Sequence, residues 1–405
     1  MLDSIYIGMS GLQGYSRGLK IIANNTANIN TPGFKSSSLQ FGDMFYANGD
    51  QSGTSKGTFG SSGHGLMTSG TTLNFKQGEL RQTGNALDLA VDGAGMFTLK
   101  DANGKLHYTR AGQFEFNSSG VLVNRLDGSK VMGRDTSGAL AEITVNGTRA
   151  SNSKASTTVT FKGNVDYSST TVTVNSVKVI DSAGGEHNLT TKLTKTSTDN
   201  WSVDVSENGV SVGTGNIVFL NGKTVLASSK VVINFAPAGM TSTALTLDFS
   251  TDVSSFAANT PNPTNPTNPT NSNLTPLAFN TQDGFSAGSL TGASFDANGV
   301  LVMTYSNGQT SKGNRLALGR FDTTDAVQAV GGNQFDSTDP TAWHSGSAGE
   351  NGFGSVKSGM VEISNVDLSQ EFSDLVIMQR GYQASSQIIT TANEMLQELF
   401  AMKGK

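Results

Sequence analysis

Four histidines, His64, His107, His187 and His344, are the side chains best suited to proton transfer or metal ligation near neutral pH. They lie far apart, and none has metal-ligand spacing with another histidine or a carboxylate. His187 follows Glu186 at a turn signal, which predicts a solvated surface pair. Asp88, Asp92 and Asp101 are scattered over strand and turn signals, with nothing to set a catalytic separation. Gly60-Ser-Ser-Gly63-His-Gly65 is glycine-rich, but it neither follows a clear strand nor opens a helix, so it is a poor phosphate cradle. Nucleophile elbows, phosphate loops and zinc-protease helices are missing, and so is cysteine, which excludes thiolate chemistry and disulfides. No enzymatic activity and no cofactor are expected.

The chemistry that remains is association. Leu368, Leu375, Tyr382, Ile389 and Leu396 recur at intervals of seven, and Phe372 and Phe400 sit on the alternate heptad position. Gln379, Ser386 and Asn393 fill that position between them. The spacing predicts one long amphipathic helix with a narrow apolar seam over 363–400. Ser364 is the expected N-cap, with Asp367 and Glu371 in the first turn and Lys403 and Lys405 near the C-terminus. At the other end, Ile5, Met9, Leu12, Leu19 and Ala23 step by fours and threes, broadened by Tyr15 and Ile22, so a second amphipathic helix runs to about Asn28. Gly8, Gly11, Gly14 and Gly18 lie on one face of it. Each costs roughly 1 kcal/mol of helix propensity against Ala. Either they admit another backbone closely or the segment folds only when packed.

What lies between reads as β-structure. Only 15% of residues are charged, 48 are glycine, and the net charge of −5 offers no basic footprint for nucleic acid. No run of about 18 apolar residues predicts a membrane span, and no cleavable signal is expected. Asn30-Thr-Pro32-Gly33-Phe34 ends the first helix. Residues 31–70 form a linker or a docking segment, with an aromatic island at Phe41, Met44, Phe45 and Tyr46. Leu87, Leu89 and Val91, then Phe114 and Phe116, then Val121 and Val123 alternate as half-buried antiparallel strands, with turns at Asp101–Gly104 and Asp127-Gly128. A second β-rich stretch holds Val172, Val174, Val177 and Val179, then Trp201, Val203 and Val205, then Val231–Phe235. The repeated Asn-Pro-Thr at Asn262, Asn265 and Asn268 predicts an exposed polyproline segment over 260–276. The expected fold class is α+β. Paired helices from 1–30 and 363–405 form a coiled-coil-like terminal domain. Nested inside are an inner, mainly antiparallel β domain (71–146 and 281–362) and an outer one (147–280).

Met9-Ser-Gly-Leu12, Asn24-Asn25-Thr-Ala-Asn28 and Thr31-Pro-Gly-Phe-Lys35 resemble the rod and hook family of bacterial flagellar axial proteins. So do Ser364-Asn365-Val-Asp367-Leu368, Gln379-Arg380-Gly-Tyr382-Gln-Ala384, and Gly78–Gly84 followed by Leu87–Val91. The central insertion around Val177–Gly184 and Trp201 is similar to that of the longer, hook-type members, and so is the returning Phe295–Gly299, Tyr305–Asn307 and Leu316–Phe321. The resemblance implies export through the flagellar type III apparatus without a cleaved signal. It implies assembly under a hook cap protein into a curved, hollow extracellular tube. The distal rod protein and the hook–filament junction protein would be neighbours. Subunit contacts are then expected at Ile5, Met9, Leu12, Leu19, Ile22, Leu368, Phe372, Leu375, Tyr382, Ile389 and Leu396. Both terminal helices would be largely disordered until copies supply the missing surface. A distal rod protein stays open as an alternative. So does a secreted adhesin or glycan-binding module, which would need an exposed aromatic cluster around Trp201.

Overall fold

The computed structural model describes residues 2–44, 46–48, 61–63, 65–237, 239–257 and 274–403. Phe45, His64, Lys405 and the Asn-Pro-Thr repeats lie outside them. The chain is mostly β, with one long helix at each end, α1 (Leu2–Ala27) and α2 (Leu368–Lys403). It divides into two compact units. The first comprises 1–146, 293–303 and 311–405, and the second 147–292 and 304–310. This division groups the helices with the first β region, and it places 281–292 and 304–310 with the second unit.

In the first unit the two ends of the chain travel together. Gly8, Gly11 and Gly18 of α1 face Ile389, Ser385 and Met378 of α2, and Tyr15 faces Gly381. The two helices therefore run antiparallel, and the glycines are the contact surface. A Cβ on Gly8 would lie 2.8 Å from the Ile389 side chain, and one on Gly11 2.6 Å from Ser385 Oγ. Close backbone approach is thus the reason for these glycines, at the cost of local propensity. Beyond the helices, Leu80–Gln82 pairs with Met360–Glu362, and Leu89–Asp92 pairs with Ser355–Ser358. Strands Trp343–Ser347, Thr310–Phe321, Lys130–Arg134, Met96–Lys100, Leu106–Thr109, Gln334–Ser337 and Val327–Gly331 pair in succession, all antiparallel. Leu89, Ala90 and Val91 are all buried, as are Met96 to Leu99. These strands are covered on both faces, where alternation had suggested half-burial. Phe97 and Phe114 meet edge to face at 5.1 Å in that core.

The segment after α1 is an ordered ribbon. Ser37–Asp43 pairs antiparallel with Leu66–Leu73. It lies along α1, where Gly14 faces Leu66 and Phe41, and the Leu66 amide donates to Ser10 Oγ at 3.1 Å. The described residues of this stretch are thus paired with each other and packed on α1 of the same chain.

The second unit is a sheet in the order Thr171–Ile180, Glu186–Lys195, Asn200–Glu207, Val210–Leu220, Lys223–Thr224, Thr243–Ser254, Thr158–Asn164, Ala278–Gln282. Thr158–Asn164 runs parallel to Thr243–Ser254, an exception to the antiparallel expectation. Lys230–Phe235 alternates as its sequence suggests, burying Val231, Ile233 and Phe235. Val174 and Val177 differ in parity, yet both are buried. A bulge between them, with Ser176 at φ 58°, resets the phase. Trp201 is fully buried beside Leu193 and Phe249 in this core. It is therefore not part of an exposed sugar-binding aromatic cluster.

Candidate functional site: the helix pair and its buried junction

Two features of the first unit could do work: the outward face of the helix pair, and the polar junction that ties it to the β-strands. The inward line on α2 is Glu371, Ser385 and Ala392, all buried, with Met378 half-buried between them, again a heptad but one residue before Phe372, Gln379, Ser386 and Asn393. Leu375, Ile389 and Leu396 of the expected seam are half-buried beside it, whereas Leu368, Tyr382, Phe372 and Phe400 are exposed. On α1, Ile22 is buried, Ile5, Leu12 and Leu19 are half-buried, and Met9 and Ala23 are exposed. The expected stripe coincides only in part with the face buried within one chain. Gly8, Gly11 and Gly18 let the backbones close up, and many large apolar side chains remain outside.

The helix ends are set by side chains. Asp367 caps α2, its Oδ1 accepting from the amides of Ser369 at 2.9 Å and Gln370 at 3.3 Å. Ser364, the expected cap, instead accepts from the Val366 amide one turn early. At the end of α1, Asn28 Nδ2 donates to the Asn24 carbonyl at 2.9 Å. Asn25 holds three elements together. Its Nδ2 donates to the Ser37 carbonyl and to Glu371 Oε1, both at 2.9 Å, and its Oδ1 accepts from the Ser37 amide. Burial pushes the Glu371 carboxyl above its ordinary value, against the Asn25 hydrogen bond and with help from Asp374.

Below this lies a buried ion cluster. The Lys35 and Glu362 side chains are fully buried against each other. Lys35 Nζ also donates to the Lys76 carbonyl at 2.8 Å. Arg110 Nη1 donates to Glu362 Oε2 at 3.1 Å and to the Val91 carbonyl, while Nη2 donates to the Gly93 carbonyl at 2.7 Å. The Gly78 amide donates to Glu362 Oε1, and the Gly33 amide to the Glu362 carbonyl. Burial lowers the Lys35 and Arg110 pKa values, and Glu362 opposes it in both. Asn365 completes the junction, accepting from the Ser36 amide and donating to the carbonyls of Asn74 and Lys76. Gly33 has φ 72° and stands where a Cβ would come within 2.3 Å of the Ala111 amide nitrogen, so only glycine fits. Pro32 offers its carbonyl to Asn333 Nδ2 at 3.0 Å, and Phe34 is half-buried beside it. Of the motif residues, Gln379 and Arg380 stand apart, exposed on α2.

Sequence reasoning missed Arg110, Glu362 and Glu371 as site residues. A signal existed: Glu362 sits between Val361 and Ile363, and Arg110 follows a strand, both places where a charge needs a buried partner.

The histidines are also placed differently from expectation. His187 pairs with Asp181 at 3.0 Å and Glu207 at 2.5 Å, while Glu186 pairs with Lys178. Neighbours on a strand point to opposite faces, which separates His187 from Glu186. His107 is held likewise, between Asp336 at 2.5 Å and Asp101 at 3.6 Å. Both share the spacing Asp-x-x-Gly-x-x-His, in which the turn aspartate also accepts backbone amides across its hairpin. Among the described residues no group of three or more such side chains could hold a metal ion. Burial lowers the His187 pKa, but hydrogen bonds to Asp181 and Glu207 outweigh it and leave the value raised. Its stabilisation is therefore complete below about pH 6.5 and is lost as pH rises through the folded value. Thermal unfolding of the second unit should show this loss, about 1 kcal/mol or less after screening. The His187→Asn variant should show a flat profile over the same range.

Comparison with known proteins bears on these features. The family model "Flagella basal body rod protein" matches residues 5–35. "Flagellar hook protein FlgE/F/G D1 domain" matches 90–167, and "Flagellar basal body rod FlgEFG protein C-terminal" matches 357–402. The first and last contain most of α1 and of α2, with Asn25, Lys35, Glu362 and Asn365. The chain is 30% identical to flagellar hook protein FlgE of Borreliella burgdorferi over 100% of both chains. It is 29% identical to that of Escherichia coli over 98% of both. A crystal structure of Helicobacter pylori flagellar hook protein FlgE2 aligns with TM-score 0.48 at 13% identity, covering 70% of this chain and 100% of that one. Full-length similarity at this level, on a chain whose ends and first β region match the family's own models, is decisive: the chain belongs to the flagellar hook protein family and is a structural subunit of the flagellar hook.

Proposed function

We propose that copies of this chain polymerise into a curved, hollow tube outside the cell, a universal joint passing torque from the basal body to the filament. The helix pair acts as the coiled-coil-like inner layer, and the inner and outer β domains are nested between its two halves as the outer layers. The distal rod protein, the hook cap protein and the hook–filament junction protein are its neighbours. The type III apparatus exports it without a cleaved signal.

One observation carries this reading. After packing on each other, the two helices still expose a large apolar surface. Tyr6 is 66% exposed, Phe372 55%, Ile377 61% and Phe400 69%. Buried side chains of this kind contribute roughly 1.5–3 kcal/mol each. Such a surface on a soluble chain calls for a partner, and identical copies meeting head to tail build an open helical assembly. The buried junction gives the tube a stiff connection between its helices and its strands, because the chain leaving α1 and the chain entering α2 are bonded to one another there. The weakly charged β surfaces suit contacts that slide during bending. Electron microscopy of the purified chain at increasing concentration tests this. Hollow tubes are expected, and discrete particles at every concentration would refute it.

A further inference from the structure

The geometry points to a specific charged contact between successive copies: the C-terminal end of α2 in one copy docks in a basic groove on α1 of the next. The inference rests on the reading that copies associate through these helices, and it names the surfaces that meet.

The groove, of about 330 Å³, is lined by Arg17, Lys20 and Ile21 of α1 and by Leu39, Thr68, Gly70 and Thr71 of the ribbon. Arg17 is exposed and donates to Thr68 Oγ1 at 2.5 Å. Lys20 is exposed and has no ion-pair partner among the described residues. The groove is therefore apolar at its base and carries two cations on its wall.

The end of α2 has the opposite character. Ile388, Met395, Leu399 and Met402 are exposed and fall on one stripe at steps of seven, four and three. Glu394 and Glu398 are exposed, one turn apart, and flank that stripe. Neither has an ion-pair partner among the described residues. An apolar stripe with two carboxylates beside it matches an apolar groove with two cations beside it.

The two surfaces cannot meet within one copy. In the antiparallel pair Gly18 stands opposite Met378, so Arg17 and Lys20 lie across from residues near Gln379 and Val376. Glu394 and Glu398 are then displaced along the helices by roughly 20–30 Å at 1.5 Å per residue. A second copy shifted along the axis by that distance brings them together. Because the two patches differ, the contact is heterologous and repeats without closing, as a tube requires. Opposite charges also fix the register, which an apolar stripe alone leaves free to slip.

The test is a charge swap in the full chain. Arg17→Glu with Lys20→Glu, and separately Glu394→Lys with Glu398→Lys, should each raise the concentration needed for tube formation by about tenfold or more. The combined fourfold variant should return it to within about threefold of the natural chain. All four side chains are exposed, and circular dichroism and thermal melting of each variant confirm an intact fold. Reversed pairs that assemble like the natural chain overturn the inference, as does a folded fourfold variant that recovers nothing. Failure of the natural chain itself to form tubes overturns the underlying reading and this contact with it.

Discussion

Replacing Phe372 and Ile377 together by Asp should abolish tubes while leaving the chain folded. Both side chains are exposed in the single chain, so neither supports the internal core. Losing their burial between copies removes roughly 3–6 kcal/mol of apolar contribution. That corresponds to a hundredfold or greater rise in the concentration needed for assembly. Two buried carboxylates without partners add to the loss. Electron microscopy and sedimentation of the variant check the outcome, with circular dichroism to confirm the fold. The contrast is Ala392→Asp, on α2, whose site is buried within the single chain. That change should disturb the helix pair itself as well as assembly.

The second large effect is expected at Glu362. Its carboxylate is fully buried between Lys35 and Arg110 and accepts the Gly78 amide. Glu362→Ala leaves two buried cations without their counter-charge, a loss of about 3–5 kcal/mol. For a unit of this size the melting temperature should fall by about 10 °C. Lys35→Met should cost less, because Glu362 keeps Arg110. The effect should appear in the first unit and leave the melting of the second unchanged. A fall of under about 1 kcal/mol would mean that the cluster is solvated, contrary to its burial. The mechanical consequence follows from the bonds around it. Asn25, Ser36, Ser37 and Asn365 attach the helices through backbone contacts next to this cluster. A chain without it should transmit force poorly even where it assembles.

Both helices were legible in the sequence because their apolar residues keep a helical period and no proline intervenes. Which side faces inward was not. Of the heptad through Leu375, Ile389 and Leu396, only Ile389 meets a glycine, Gly8, and the other glycine contacts are made by Met378 and Ser385. Period alone finds a helix and its large residues, but close backbone approach selects the small ones. The same residues explain why the apolar stripe looked unpartnered: much of it still is. The helices pack on each other within one chain through the glycine face. Strands with one wet side, such as Lys230–Phe235, were readable from alternation. Strands buried on both faces, such as Leu89–Asp92, were misread as half-buried. The pairing of Lys35, Arg110 and Glu362 was not legible because the partners come from segments up to 327 residues apart. Asn25 and Asn365 were found only through their family resemblance and Gly33 also through its turn signature, and the structure supplies their physical roles.

The central claim is that the helix pair has two different faces, one satisfied within the chain and one satisfied only by other copies. The natural chain contains no cysteine, so a single introduced thiol reports on one position without background. Maleimide labelling of Ile377→Cys and of Ala392→Cys, each as dispersed chain and as assembled tube, tests the claim directly. Position 377 should label rapidly when dispersed and be protected in tubes, while position 392 should be protected in both. Equal labelling at 377 before and after assembly would contradict the account.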